Sequence, residues 1–175
     1  TPDLAAFVAL KQSQGFQVSL VRQSEIANGS TAAGIKAYIQ TAYDTWTEPP
    51  SYLLLVGDSD RIPVWPFQSS GESEYSTDLY YATLQGSDYV PEIYRGRFPV
   101  RSAAQLTNMV NNALWYENTS GAEAWVKKAA FLATDDSGNY TTAEGTHNYV
   151  ISCYTQPKGY TGIFPLALQP GGDKL

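Results

Sequence analysis

The feature that most constrains this chain is a run of five residues, Tyr52-Leu53-Leu54-Leu55-Val56, set between Pro49-Pro50 and Gly57-Asp58. A continuous apolar run this short, closed by turn residues, fits a strand covered on both faces, and such strands belong to parallel sheets. Parallel strands cannot be joined by a hairpin. They need a long crossover, usually a helix. Helical patterns stand where that requirement puts them. Leu4 to Gln14 places Leu4, Phe7, Val8 and Leu10 at helical spacing, and Gly15 supplies a stop. Ser30-Thr31 opens a second helix with Ile35, Tyr38, Ile39 and Tyr43 on one stripe. Ser102 opens a third, carrying Leu106, Met109, Val110, Ala113, Leu114 and Tyr116. Ala129 to Ala133 predicts another short covered strand, Thr142 to Tyr154 a helix, and Tyr160 to Leu168 a last short strand. Phe16 to Val21 alternates and predicts a strand, Glu92 to Val100 is extended, and Pro63 to Asp88 reads as loop with short strands. The alternation predicts a three-layer α/β/α sandwich on a mostly parallel sheet. Leu53–Val56 and Ala129–Leu132 are expected as near neighbours in that sheet. In such folds the working loops follow the carboxyl ends of the strands.

Charge narrows the partners. Lys and Arg number 11 against 17 Asp and Glu, a net charge of −6. Nucleic acid and anionic membrane surfaces reward clustered Lys and Arg, so neither is an expected partner. No apolar run approaches the ~20 residues that span a bilayer. An acidic field suits a calcium ion or a basic substrate. Cys153 and His147 are the only cysteine and histidine. A disulfide framework is thereby excluded, and a histidine-dependent nucleophile within the chain would have to use His147. The two lie six apart on one predicted helix and point about 120° apart, so they do not hydrogen-bond to each other. Cys153, beside Ile151 and Tyr154, reads as an ordinary small buried residue. The opening Thr1-Pro2-Asp3 and the closing stretch after Pro170-Gly171-Gly172 suggest a segment of a longer protein.

The carboxylates divide between chemistry and plain structure. Asp88 and Glu92 bracket Tyr89-Val90-Pro91, and Ca²⁺ favours such a mix of carboxylates and backbone carbonyls. The alternative is a turn aspartate and a solvated glutamate. Asp135-Asp136 follows a predicted strand and can orient a catalytic imidazole, or can cap a turn completed by Ser137-Gly138. Glu144 can pair with a basic side chain at the foot of a pocket, or can support a helix N-terminus after Thr141 and Thr142.

Across these stretches runs an ordered series. It comprises Leu53-Leu54-Leu55-Val56-Gly57-Asp58, Ile62-Pro63, Ser76-Thr77-Asp78, Tyr80-Tyr81-Ala82 and Gly86-Ser87-Asp88. It continues with Pro91-Glu92-Ile93, Gly96-Arg97-Phe98, Tyr116-Glu117 and Glu144-Gly145-Thr146-His147-Asn148. The series resembles the gingipain-type cysteine peptidases of the C25 family, from about Phe7 to Tyr160. The resemblance implies a caspase-like α/β/α fold in a secreted or cell-surface endopeptidase that acts on protein or peptide substrates. It implies a first, non-catalytic subdomain at residues 1–125 and the start of the catalytic subdomain at 126–175. The family's catalytic His and Cys are then expected beyond this chain, in the remainder of the same catalytic domain.

By position, the resemblance implies a structural calcium on the side chains of Asp88 and Glu92 and the carbonyls of Gln85 and Val90. A second calcium would use Asp58 and His147, although the family's glutamate position falls on Thr142. Asp136 would orient the catalytic histidine. Glu144 would read a basic P1 residue. The competing function is a non-catalytic binding or scaffold module built on a degenerate peptidase domain.

Overall fold

The computed structural model describes residues 2–67, 75–119, 121–132 and 139–166. The chain forms two compact units, Thr1–Glu117 and Asn118–Leu175. The first contains α1 (Pro2–Ser13), α2 (Ala32–Thr45), β1 (Tyr52–Val56), β2 (Trp65–Phe67), β3 (Tyr75–Thr77), β4 (Tyr94–Phe98) and α3 (Ala103–Glu117). The second contains β5 (Lys128–Leu132), α4 (Tyr140–Val150) and β6 (Thr161–Leu166).

In the first unit β1 and β4 pair in parallel, from Tyr52 opposite Tyr94 to Val56 opposite Phe98. Alternate strand residues face opposite ways. Leu53 and Leu55 accordingly join one apolar cluster with Ile35 and Ile39 of α2, Tyr81, Ala82, Leu84 and Ile93. Val56 and Phe98 join the other, with Leu4 of α1, Val100, and Leu106 and Val110 of α3. The sheet thus has α2 on one face and α1 with α3 on the other, a three-layer α/β/α arrangement. Burial of these side chains is the main favourable term holding the layers. Sequence signals set the helix ends: the Thr31 hydroxyl accepts from the Gly34 N–H at 3.1 Å, Ser102 Oγ accepts from the Gln105 N–H at 3.3 Å, and Gly15 leaves α1 at φ +91°.

The connection from β1 to β4 differs from a helical crossover. Its described part holds the antiparallel pair β2–β3 and a short 3₁₀ turn, Leu79–Tyr81. That turn carries the largest fully buried side chain among the described residues, Tyr81, and so takes the helix's place against the sheet. β1 is also less covered than a run of leucines predicts, since Tyr52 and Leu54 are 60% and 37% exposed.

Phe16 to Val21 is not a strand. An alternating pattern becomes a strand only where a neighbour completes the ladder, and no described residue does so here. Phe16 instead rests edge-on against Tyr52, their ring centres 5.5 Å apart.

In the second unit β5 and β6 run parallel, with a register irregularity between Ala130 and Leu132. Leu53–Val56 and Ala129–Leu132 therefore each have a parallel partner, β4 for one and β6 for the other. α4 runs into a single π turn, Ile151–Thr155, then a 3₁₀ turn, Gln156–Lys158, and stops at Gly159 with φ +76°. The wide turn shifts the helical phase. Ile151 is buried while Cys153 is exposed, which overturns the expectation of a buried thiol.

Candidate functional site

The loop after β1 is built by hydrogen bonds that extend the ladder. The Gly57 N–H donates to the Phe98 carbonyl at 2.9 Å and the Asp58 N–H to the Val100 carbonyl at 3.1 Å. Gly57 has φ +145°, and a Cβ there would lie 3.0 Å from both Arg61 Cβ and Ile62 Cγ1. Only glycine meets both conditions. Asp58 is thereby placed at the sheet's carboxyl edge. Its carboxylate accepts from the Ser59 N–H at 2.8 Å and from Arg101 Nε at 2.7 Å. The Ser59 N–H first, and then the Arg101 charge, hold its carboxyl below the usual carboxylate range.

Behind this loop lies a polar network that the sequence reading did not assign. Arg97 on β4 stands opposite Leu55 in the register. Its guanidinium grips Asp78 with two bonds of 2.8 and 2.7 Å. Its Nη1 donates to the Gly57 carbonyl at 2.7 Å and the Ile62 carbonyl at 3.0 Å. The bonds to Asp78 push the Arg97 pKa further up. Tyr81 donates its hydroxyl to the Pro63 carbonyl at 2.5 Å, and burial pushes its phenol up to about 12. Asp78 and Arg97 stood in the ordered series without a role. The available signal was an arginine beside Phe98 inside a predicted extended segment.

The Gln85–Glu92 loop holds the first predicted ion site. One oxygen of Glu92, Oε2, accepts from the backbone N–H groups of Leu84 and, at 3.1 Å, Gln85. Asp88 Oδ1 accepts from the Val90 N–H at 2.9 Å, and Gly86 turns the chain at φ +67°. Each carboxylate is thus held by one oxygen, and its other oxygen has no hydrogen bond to a described residue. Among the described residues no three His, Cys, Asp or Glu side chains converge on one point. A cation here would depend on two carboxylates and the carbonyls of Gln85 and Val90. That is a hard-oxygen set suited to Ca²⁺, with few charges.

The remaining predicted residues fall on several elements. His147 belongs to the last turn of α4, its ring 5.4 Å from that of Phe131. Asp58 is in the first unit and His147 in the second. Glu144 is half-buried in the second turn of α4. The helix begins at Tyr140 after Asn139, and no acidic residue occupies its first turn. That position argues against Glu144 as an N-terminal cap. Asp136 lies outside the described residues. Cys153 Sγ is 3.8 Å from Ser152 Oγ.

No helix among the described residues is long and apolar enough to cross a membrane. The sequence model of peptidase family C25 matches residues 1–171. Lys-gingipain of Porphyromonas gingivalis is 32% identical over 95% of this chain, which covers 10% of that protein. Gingipain R2 of the same species is 26% identical over 92% of the chain, covering 22% of that protein. The crystal structure of the Arg specific cysteine proteinase gingipain R superposes with a TM-score of 0.75 at 26% identity. The match takes in 94% of this chain and 38% of that one. This chain therefore spans well under half the length of the relatives it matches. With the motif series, the three-layer first unit and these likenesses in agreement, the chain belongs to peptidase family C25 and shares the gingipain fold.

Proposed function

We propose that this chain is the first part of the catalytic domain of a secreted or cell-surface C25 cysteine peptidase that cuts proteins after basic residues. The nucleophilic Cys and its His partner are contributed by sequence outside this chain. Family membership supports the peptidase class. The observation that carries the specificity is the place of Glu144: half-buried, in the second turn of α4, beyond the reach of a capping role. A carboxylate in such a place pairs well with guanidinium or ammonium. The relatives bearing the names Lys-gingipain and Arg specific proteinase support the same choice of substrate.

Calcium belongs to this reading as a structural ion. Asp88, Glu92 and the carbonyls of Gln85 and Val90 would hold it, and when bound it would draw together two carboxylates that otherwise repel. Asp58 and His147 would serve a second ion only if the Asp58 oxygens, which already accept from Ser59 and Arg101, were shared with it.

The test is substrate discrimination by the full-length protein. Glu144→Gln is expected to lower the ratio of kcat/KM for Arg or Lys over a neutral P1 residue by roughly tenfold or more, the loss of one charge-assisted bond. An unchanged ratio overturns the specificity. Absence of any thiol-dependent peptide hydrolysis overturns the enzyme reading in favour of a binding module.

A further inference from the structure

Lys36 of α2 points its ammonium at the loop that carries Asp88 and Glu92. Its Nζ donates to the Tyr80 carbonyl at 2.6 Å, to the Thr83 carbonyl, and to Thr83 Oγ1 at 3.3 Å. The next residues, Leu84 and Gln85, supply the N–H groups that hold Glu92. One helical turn further on, Gln40 Nε2 donates to the Leu84 carbonyl at 3.0 Å. Two side chains of one helix thus organise the start of the loop through its carbonyls. Burial lowers the Lys36 pKa, and the Glu92 charge opposes that shift. An ammonium among three oxygens of one turn, with a carboxylate within electrostatic reach, does what a bound metal cation does.

We propose that Lys36 is a resident cation of the 79–93 loop, which keeps the loop folded without calcium and weakens its affinity for the ion. The inference rests on the calcium reading of Asp88 and Glu92. Its physical content is charge neutralisation. With Lys36 in place one negative charge is already offset, so an arriving Ca²⁺ meets a smaller field. Without Lys36 the carbonyls of Tyr80 and Thr83 lose a charged donor, the empty loop loosens, and the carboxylates attract Ca²⁺ more strongly.

The experiment is hydrogen exchange of peptides covering residues 79–93 in the full-length protein, across a calcium titration that begins in chelator. Wild type is expected to be protected in chelator and to gain modestly with calcium. Lys36→Met should exchange about tenfold faster in chelator and recover with calcium. Its half-saturating concentration should be roughly 3- to 10-fold below wild type, the effect of one charge at partly screened distance. Lys36→Arg, which keeps the charge, should follow wild type. If wild type responds to calcium but Lys36→Met shows the same half-saturating concentration, Lys36 is merely structural and the proposal falls. If wild type shows no response at all, the calcium reading itself falls and takes this one with it. Should Lys36→Met fail to fold in either condition, Lys36→Gln is read instead. It keeps a donor without the charge, and an unchanged calcium midpoint there overturns the proposal.

Discussion

The two units hold themselves together differently. In the first, side chains reach across long stretches of chain to backbone carbonyls. Arg97 reaches Gly57 and Ile62, Lys36 reaches Tyr80 and Thr83, and Tyr81 reaches Pro63. Two apolar clusters lie on either face of its sheet. In the second, the side-chain bonds along α4 and the π turn are local, such as Thr146 to the Thr142 carbonyl, Ser152 to Asn148 and Thr155 to Ile151. Ile151 is the one fully buried apolar residue among its described residues, while Trp125, Tyr149, Tyr154 and Tyr160 remain exposed. Local bonds shape a helix but do not tie elements to each other. Long-range bonds do, and the first unit should open as one cooperative block.

The largest test of that contrast is Arg97→Leu. It leaves the Asp78 carboxylate half-buried without its counter-ion and frees the Gly57 and Ile62 carbonyls. Breaking a well-buried pair costs a few kcal/mol, and partial exposure here reduces this to about 3 kcal/mol. Native-state hydrogen exchange should show β1 and β4 amides opening together and those of α4 unchanged. An equal rise in α4 would break the contrast.

Next in size is Tyr81→Phe, expected to destabilise the first unit by about 1 kcal/mol through the lost bond to the Pro63 carbonyl. The phenol's folded pKa is raised, from 10.0 to about 12. Its contribution is therefore complete below pH 10 and is lost as pH climbs toward 12. The urea midpoint of wild type should fall more steeply over that interval than the variant's. Parallel curves would mean that the phenol does not govern alkaline opening.

The smallest effect is expected from Arg101→Ala. Its partner Asp58 is exposed to solvent screening, and the pair connects a loop to the start of α3 without burying anything. The folded Asp58 pKa is depressed, so its stabilising effect is present above the usual carboxylate range and is lost as pH falls through that range and below it. A slight drop in thermal midpoint at neutral pH and low salt should vanish in acid once Asp58 is protonated, and also in about 1 M salt, where the Debye length is ~3 Å. A salt-independent drop would place Arg101 among the structural residues.

Much of this architecture could be read before any coordinates. The leucine run at β1, the Thr31 and Ser102 caps and the Gly15 stop are local signals that depend on neighbours within four residues. That Asp88 and Glu92 share one short loop could be read for the same reason, from their spacing, while the ion proposed for them came from the family resemblance. What escaped was non-local. Nothing near Asp78 announces Arg97, 19 residues on, and nothing near Lys36 announces Tyr80 or Thr83. Phe16–Val21 was misread because alternation describes a strand's faces and says nothing of whether a ladder partner exists. Cys153 was misread because a π turn changes the helical phase without a residue that marks it.

Gly57 has a consequence for how this loop can vary over evolutionary time. The turn there exists because a side chain is missing, and the space that a Cβ would need is taken by Arg61 and Ile62. One residue later, Asp58 is only half-buried at the edge of the sheet, and its ion pair with the exposed Arg101 tolerates adjustment. The boundary between what selection can and cannot change therefore runs between two adjacent codons. Chemistry at the edge of the sheet can be remodelled, provided that the glycine beneath it stays.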